Sequence, residues 1–253
     1  MITSAINTLE TFPHGMRIAV VGASGGIGAA LVEHFSRHPR VAMVYALSRT
    51  PCPIVSPNVA HGELDITNEA SIASCAAMAS SESPLDIVVV ATGVLWSGDA
   101  LRPEKSLRDI DAEKLSEVFA INAVGPALVA KHFLPRLRKE SKTVFAALSA
   151  RVGSIGDNRL GGWYSYRASK AALNMLLKTL SIEQARLLPQ SIVVGLHPGT
   201  VDTGLSRPYS KGTSPQKIFS PETAAGHLVA VLDKVCQPDS GGVFAWDSKR
   251  IEN

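Results

Sequence analysis

Short apolar segments alternate with helix-length amphipathic segments along most of the chain. Apolar segments of four to seven residues between turn-forming residues are typical of strands. Six segments are interpreted as strands: Arg17–Val21, Val41–Leu47, Leu85–Ala91, Thr143–Leu148, Ile192–Leu196 and Val243–Trp246. Leu85–Ala91 is almost continuously apolar, as expected of a parallel strand covered on both faces. The alternation predicts one doubly wound, Rossmann-type α/β domain over residues 1–253, with a central, mostly parallel seven-stranded sheet whose third strand ends before Leu64.

Composition narrows the class of protein. The chain has 253 residues, of which 45% are hydrophobic and 19% charged, as in an ordinary globular domain. The net charge of +3 comes from scattered basic residues, which indicates no nucleic-acid partner. Cys52, Cys75 and Cys236 fit neither a disulfide framework nor a metal-ligand spacing. We therefore expect a cytoplasmic protein with no metal, no export signal and no membrane span.

A glycine-rich loop follows the first strand and precedes a helical pattern. Its glycines are Gly22, Gly26 and Gly28, and Ser24 and Ile27 lie between them. Such a loop lets the backbone approach a pyrophosphate, and the helix N-terminus supplies N–H donors. A turn without a ligand is the alternative. The Gly-x-x-x-Gly-x-Gly spacing resembles the short-chain dehydrogenase/reductase family, which implies a nicotinamide cofactor.

The loops after the second and third strands carry the next candidates. The second strand ends in Ser48 and Arg49, where an acidic residue would indicate NAD. Arg49 offers donors for a 2′-phosphate, with Ser48 as a second donor, so NADP(H) is favoured over NAD(H). By resemblance, Asp65 and Ile66 lie beside the adenine ring. The alternatives are a solvated Arg49 and an Asp65 that caps the helix starting near Asn68.

Tyr166 and Lys170 have the i, i+4 spacing of one helical face. A tyrosine acts as an acid/base near neutral pH only if a cation stabilises the phenolate, and Lys170 is that cation. The resemblance also implies that Lys170 holds the nicotinamide ribose. Tyr164 is rejected as the acid/base because Ala168, not lysine, stands four residues later.

Asn122 lies in a long helical pattern from Asp111 to Lys139. By resemblance, Asn122 is a catalytic residue that anchors a water relaying protons to Lys170. A buried polar side chain bonded locally is the alternative. The resemblance therefore adds Asn122 to the expected catalytic and cofactor-binding residues.

The catalytic serine of the family pattern is missing. The pattern runs Ser-Ser-x-x-Gly, and alignment on Gly153 places Ala150 at the second serine. Ser149 is the first candidate to contact the substrate oxygen instead, and Ser154 is the second. A serine at a strand end with no catalytic role is the alternative.

Further cofactor contacts are implied after the fourth and sixth strands. The family commonly has Asn-Asn-Ala-Gly after the fourth strand. This chain lacks both asparagines and keeps only the glycine of that pattern. The Pro-Gly segment after the sixth strand implies contacts with the nicotinamide carboxamide, although Pro-Gly alone is only a turn signal. The expected cofactor contacts here are Ala91, Thr92, Gly93, Pro198, Gly199, Val201 and Thr203.

The motifs together predict an oxidoreductase similar to the C-factor-like and sniffer-like carbonyl reductases. It would reduce an aldehyde, ketone or quinone, or oxidise the matching alcohol, with a substrate loop near 203–221. The resemblance also implies a homodimer or homotetramer formed through Asp111–Lys139 and Tyr166–Arg186.

Two other functions remain open. One is a non-enzymatic NADP-binding regulatory protein, a hypothesis that Ala150 motivates. The other is reduction of a ketone thioester on a carrier protein, for which Arg207, Lys211 and Lys217 would form a basic docking patch.

Overall fold

The computed structural model describes residues 9–98, 100–209 and 218–252. The strands in chain order are β1 (Met16–Val21), β2 (Val41–Ser48), β3 (Val59–Glu63), β4 (Ile87–Val90), β5 (Thr143–Leu148), β6 (Ser191–His197), β7 (Thr200–Val201), β8 (Ile218–Phe219), β9 (Val243–Ala245) and β10 (Arg250–Ile251). The helices are α1 (Gly26–Ser36), α2 (Glu69–Ala79), α3 (Ala112–Phe119), α4 (Gly125–Phe133), α5 (Tyr164–Leu187) and α6 (Pro221–Lys234).

The central sheet has the strand order β10-β9-β6-β5-β4-β1-β2-β3. All neighbours pair in parallel except β9 and β10, which are antiparallel. The doubly wound α/β fold is therefore confirmed, and the sheet has eight strands where seven were expected. The order reverses between β1 and β4, and ligands of such sheets bind beyond the strand ends at that crevice.

Two apolar layers bury the sheet on both faces. Helices α1 and α6 cover one face through Leu31, Phe35 and Leu228. The other face is covered by α2, α4 and α5, from which Phe133 and Leu177 enter the core. Burial on both faces explains why β4 and β5 are apolar at nearly every position.

The expected helix Asp111–Lys139 is interrupted. Asp111 caps α3 by accepting a hydrogen bond from the Lys114 N–H at 2.9 Å. A π-helical turn, Ala120–Val124, then separates α3 from α4. Helical structure ends at a short 3₁₀ turn, after which Leu137 pairs with Leu85. This pairing ends the helix before Lys139.

Other boundaries differ slightly from expectation. Helix α5 begins at Tyr164, earlier than expected. Strand β4 is shorter than the apolar segment because Leu85 pairs with Leu137 and not with β5. The predicted surface loop at 206–220 includes a 3₁₀ turn at Arg207–Tyr209 and the short strand β8, which pairs with β7. Residues 210–217 of that loop lie outside the described part of the chain.

One helical stretch, Ala112–Arg136, is long and apolar enough to cross a bilayer by length and composition, which was not expected from the sequence. Half of its most apolar window is buried inside the fold. It packs against α2 and α5, as core helices of this composition do. Packing within the domain therefore accounts for its apolar side chains.

Candidate active site

The glycine loop connects β1 to α1 at the reversal of strand order. Gly22 has φ +88°, a left-handed conformation that favours glycine. A Cβ atom at Gly28 would lie 2.1 Å from the carbonyl oxygen of Gly22. A Cβ at Gly26 would lie 2.8 Å from Cγ2 of Thr203. The loop is therefore compact, and it lies beside the segment that follows β6.

A first cavity of about 510 Å³ opens beside this loop. The lining includes nine of the residues expected to bind the cofactor: Gly22, Ser24, Ser48, Arg49, Asp65, Ile66, Ala91, Thr92 and Gly93. They come from the ends of β1, β2, β3 and β4, which are adjacent in the sheet. Four separate sequence segments thus meet around one cavity.

The polar groups at one end of this cavity are linked to each other. The Ser48 hydroxyl donates to the Thr50 carbonyl oxygen at 2.7 Å, and the Thr50 hydroxyl donates to Ser24 Oγ at 2.9 Å. Arg49 lines the same wall and is exposed. A cation next to a glycine loop suits an anionic group.

Asp65 does not cap α2. Its Oδ1 accepts hydrogen bonds from the Thr67 N–H and hydroxyl, and these bonds lower the pKa of Asp65. The cap is Asn68, whose Oδ1 accepts from the Ser71 N–H at 3.2 Å. Asp65 is therefore an ionised acceptor in the cavity wall.

A second cavity, of about 310 Å³, lies beyond the ends of β5 and β6. Its wall includes seven predicted site residues: Ile27, Ser149, Tyr166, Pro198, Gly199, Val201 and Thr203. The remainder of the wall is largely apolar and aromatic, with Leu95, Val152, Trp163 and Tyr209. This cavity combines an apolar surface with a few polar groups, as substrate pockets do.

Tyr166 and Lys170 project from the first turns of α5. Lys170 is 3% exposed, and its Nζ donates to the Leu148 carbonyl oxygen at 2.8 Å. That Nζ lies 5.9 Å from the centroid of the Tyr166 ring. Burial raises the pKa of Tyr166 to about 12 and lowers the pKa of Lys170 to about 8. Burial thus favours the uncharged form of both side chains.

Asn122 lies within the π-helical turn and is fully buried. Its Oδ1 accepts from the Val94 N–H, and its Nδ2 donates to the Val94 carbonyl oxygen, both at 2.8 Å. Nδ2 also donates to Ser169 Oγ at 3.2 Å. The side chain therefore joins the segment after β4 to α5, next to Lys170. π turns of this kind occur frequently at functional sites.

The two candidate serines lie in different surroundings. Ser149 lines the second cavity and donates its hydroxyl to Asn174 Oδ1 at 2.6 Å. Ser154 is not part of that lining, and its Oγ accepts from the Asp157 N–H at 3.1 Å. Ala150 lies in the cavity wall beside Ser149.

Aromatic side chains form a wall beside Tyr166. The Trp163 ring lies 6.2 Å from the Tyr166 ring and 5.4 Å from the Tyr209 ring, with edge-to-face geometry. Trp163 has φ 52°, which is uncommon for a large residue. Its N–H donates to the carbonyl oxygen of Glu104. Two preceding glycines signal an unusual turn, but not its partner.

The hypothetical docking patch is not assembled from described residues. Arg207 forms an ion pair with Asp202 at 2.9 Å, and Lys211 and Lys217 lie outside the described part of the chain. Within the described ranges, no cluster of three or more His, Cys, Asp or Glu residues could hold a metal ion.

Comparison with known proteins identifies the family. The short chain dehydrogenase model matches residues 16–214. The chain therefore belongs to the short-chain dehydrogenase family and is an oxidoreductase, which confirms the resemblance drawn from the motifs.

Individual relatives support this assignment. The C-signal of Myxococcus xanthus is 34% identical over 171 residues, covering 66% of this chain and 92% of the relative. A 1-hydroxy-2-glutathionyl-2-methyl-3-butene dehydrogenase of Rhodococcus sp. is 32% identical over 72% of this chain and 74% of its own length. NADPH-bound carbonyl reductase from chicken fatty liver superposes with a TM-score of 0.81 at 28% identity, covering 95% of this chain and 100% of that one. The carbonyl reductase Sniffer of D. melanogaster has the same fold, with a TM-score of 0.82 at 21% identity over 95% of this chain and 100% of its own.

Proposed function

We propose that this oxidoreductase uses NADP(H) to reduce a carbonyl, or to oxidise the matching alcohol, with Tyr166 as the acid/base. The observation that carries the proposal is the position of the Tyr166 side chain in the wall of an apolar cavity, with the buried Lys170 ammonium 5.9 Å from its ring. The carbonyl reductase that superposes on this chain contains NADPH, which supports the same cofactor class.

The first cavity fits the adenine half of a dinucleotide. Close backbone approach at Gly28 leaves no room for a side chain, and Arg49 and Asp65 supply one cationic group and one acceptor. In our proposal, Gly22, Ser24 and Gly26 bind the pyrophosphate, Arg49 binds the 2′-phosphate and Asp65 accepts from the adenine amino group. The second cavity then holds the nicotinamide near Pro198 and Gly199.

NADP(H) is proposed over NAD(H) because of Arg49. A guanidinium pairs with a phosphate dianion through two parallel hydrogen bonds, which a ribose diol cannot match. Ser48 points its hydroxyl proton at the Thr50 carbonyl oxygen, so its oxygen remains an acceptor. Arg49 therefore carries most of the proposed preference.

Bound NADPH would supply the hydride that reduces the carbonyl carbon. Tyr166 donates its phenolic proton to the carbonyl oxygen, and burial keeps that proton in place at neutral pH. Lys170 Nζ donates a hydrogen bond to the last residue of β5. It also lies close to Gly93, where an added Cβ atom would be 3.6 Å from Nζ. Asn122 positions Lys170 by joining Val94 to α5.

The test is NADPH oxidation with 4-nitrobenzaldehyde, isatin and menadione as carbonyl probes. Wild-type protein is expected to turn over at least one, and Tyr166→Phe to lose that turnover while binding NADPH normally. Equal activity in Tyr166→Phe would overturn the assignment of the acid/base.

A regulatory NADP-binding function is the second candidate. Ala150 favours it, because the cavity lacks a serine hydroxyl at that position. If the protein is regulatory, wild type and Tyr166→Phe should both bind NADPH, and neither should turn over any probe. The paired Tyr166 and Lys170 have no evident use in such a protein.

Self-association is also proposed, through α3, α4 and α5. Tyr164, Met175 and Ile182 are 39%, 67% and 48% exposed on α5. Their spacing places them on one face of the helix. An exposed apolar face of this kind suits a two-fold contact between copies of the chain. The three free cysteines favour a reducing compartment such as the cytoplasm.

A further inference from the structure

The second cavity needs a hydrogen-bond donor for the substrate oxygen besides Tyr166. The serines closest in sequence or in the cavity wall to the missing one already form other hydrogen bonds or lie outside the wall. Ser149 donates to Asn174, Ser206 donates to the Val201 carbonyl oxygen, and Ser154 does not line the cavity. An oxygen that gains negative charge is stabilised by preorganised donors. A donor other than these serines can therefore make this contact.

His197 lies next to the position where the family serine is missing. It is the last residue of β6, whose Leu196 pairs with Leu148 of β5. The Ser149 N–H donates to the Leu196 carbonyl oxygen at 2.8 Å. Ser149 and His197 are therefore neighbours at the ends of β5 and β6. His197 lines the same cavity as Ala150 and Tyr166.

The imidazole of His197 has no hydrogen-bond partner among the described residues. Its Nδ1 is enclosed and unpaired, which is uncommon for a buried polar atom. No described residue forms a hydrogen bond with its Nε2 either, and His197 lies in the wall of the cavity that Tyr166 also lines. His197 thus lies in the cavity wall with hydrogen-bonding capacity that no described residue uses.

The ring is neutral under physiological conditions. Burial, assisted by the charge of Arg151 and opposed by that of Asp247, lowers the pKa of His197 to about 4. A neutral imidazole has one N–H donor and one acceptor nitrogen. A neutral imidazole can polarise a carbonyl oxygen without carrying a charge.

We propose that His197 is a further catalytic residue, which donates a hydrogen bond from Nε2 to the substrate oxygen in place of the missing serine hydroxyl. This inference rests on the proposed carbonyl chemistry and assigns to His197 the contact that the sequence suggested for Ser149 or Ser154. The enclosed Nδ1 then carries no proton, and Tyr166 remains the proton donor.

The test compares donor loss with donor replacement, using whichever of the three carbonyl probes gives the highest turnover. His197→Phe is expected to lower kcat by about a hundredfold or more, as loss of one oxyanion donor does. KM for the probe and Kd for NADPH should stay within about threefold. His197→Gln keeps an N–H donor and should retain more activity. Ala150→Ser in the His197→Phe background should restore turnover by restoring the family hydroxyl.

His227 offers a matched control. Its Nδ1 is likewise buried without a partner, but its ring packs against Phe219 and Trp246 rather than lining the cavity. His227→Phe should leave kcat unchanged. Melting temperatures of both variants show whether they fold equally well.

A spectroscopic readout separates a direct contact from a structural role. In ¹⁵N-histidine-labelled Tyr166→Phe protein with NADP⁺, addition of the probe should shift the Nε2 resonance of His197 and leave that of His227 in place. Normal kcat in His197→Phe, or a hundredfold loss in Ser149→Ala alone, would overturn the inference. If Tyr166→Phe itself turned over normally, the proposed function would fail first.

Discussion

Gly28→Ala is the sharpest test of the glycine loop. Gly28 is the third residue of α1, and its helix turn rests directly on the backbone of Gly22. An added Cβ would lie 2.1 Å from the Gly22 carbonyl oxygen and 2.8 Å from its carbonyl carbon. Both neighbours are backbone atoms, so no side-chain rotation relieves the overlap. Either the loop or the start of α1 must move.

Two opposing terms set the magnitude. Alanine in a helix is favoured over glycine by about 1 kcal/mol. Overpacking a close contact typically costs about 1–3 kcal/mol, and more where the backbone is displaced. An approach of 2.1 Å lies far inside the 3.0 Å limit of ordinary Cβ contacts, so the clash outweighs the helix propensity. We expect a net loss of about 2 kcal/mol, which for a domain of this size lowers Tm by roughly 4–8 °C.

The assay is thermal unfolding combined with fluorescence titration of NADPH. Affinity should fall at least tenfold in Gly28→Ala, because displaced N–H groups no longer converge on one anion. Gly25→Ala is the control for unfolding. Gly25 has φ −74°, and its Cβ would lie 3.4 Å from the Gly22 carbonyl oxygen. Its Tm should change by less than about 2 °C. If Gly28→Ala matched wild type in Tm and NADPH affinity, the close approach of helix and loop would be wrong.

Three further predictions concern cofactor, chemistry and assembly. Arg49→Ala should weaken NADPH binding by about tenfold or more and change NADH affinity less than twofold, because only NADPH carries the 2′-phosphate. Equal losses of affinity for the two cofactors in titrations would contradict the assignment of Arg49. Tyr166→Phe should lower kcat by at least about a hundredfold with NADPH affinity intact, and Lys170→Ala should reduce both quantities; steady-state kinetics and titration separate them. Met175→Glu combined with Ile182→Glu should shift the protein to a monomer in sedimentation at micromolar concentration, and an unchanged distribution would exclude that face of α5.

Most of the sheet could be predicted because its strands are buried on both faces. A short, continuously apolar segment such as Thr143–Leu148 is typical of a strand that is buried on both faces of a sheet. Strand β10 could not be predicted, because two residues at an edge form no periodic pattern. The π turn at Ala120–Val124 was also missed. Its hydrophobic pattern continues that of α3 and α4, and a change of one residue per turn leaves little trace in sequence.

The predictable part of the site consists of residues close together in the chain. Spacing alone placed Gly22 and Gly28 at one strand-to-helix turn, and Tyr166 and Lys170 on one helix face. The environment of Ser149 depends on Asn174, which lies 25 residues later on α5. Contacts between distant segments follow from packing, which no local pattern records.

The start of α5 shows how such a distant contact shapes the site. Gly161, Gly162 and Trp163 adopt left-handed conformations in succession, and for the tryptophan this costs about 1–2 kcal/mol. Glu104, 5% exposed, offsets that cost: its carbonyl oxygen accepts from the Trp163 N–H, and its Oε2 accepts from the Ser165 N–H at 3.2 Å. A carboxylate at a helix N-terminus is favoured by the helix dipole. One buried residue therefore holds both the aromatic wall, through its carbonyl oxygen, and the helix turn that carries Tyr166, through its carboxylate, so the two cannot move independently.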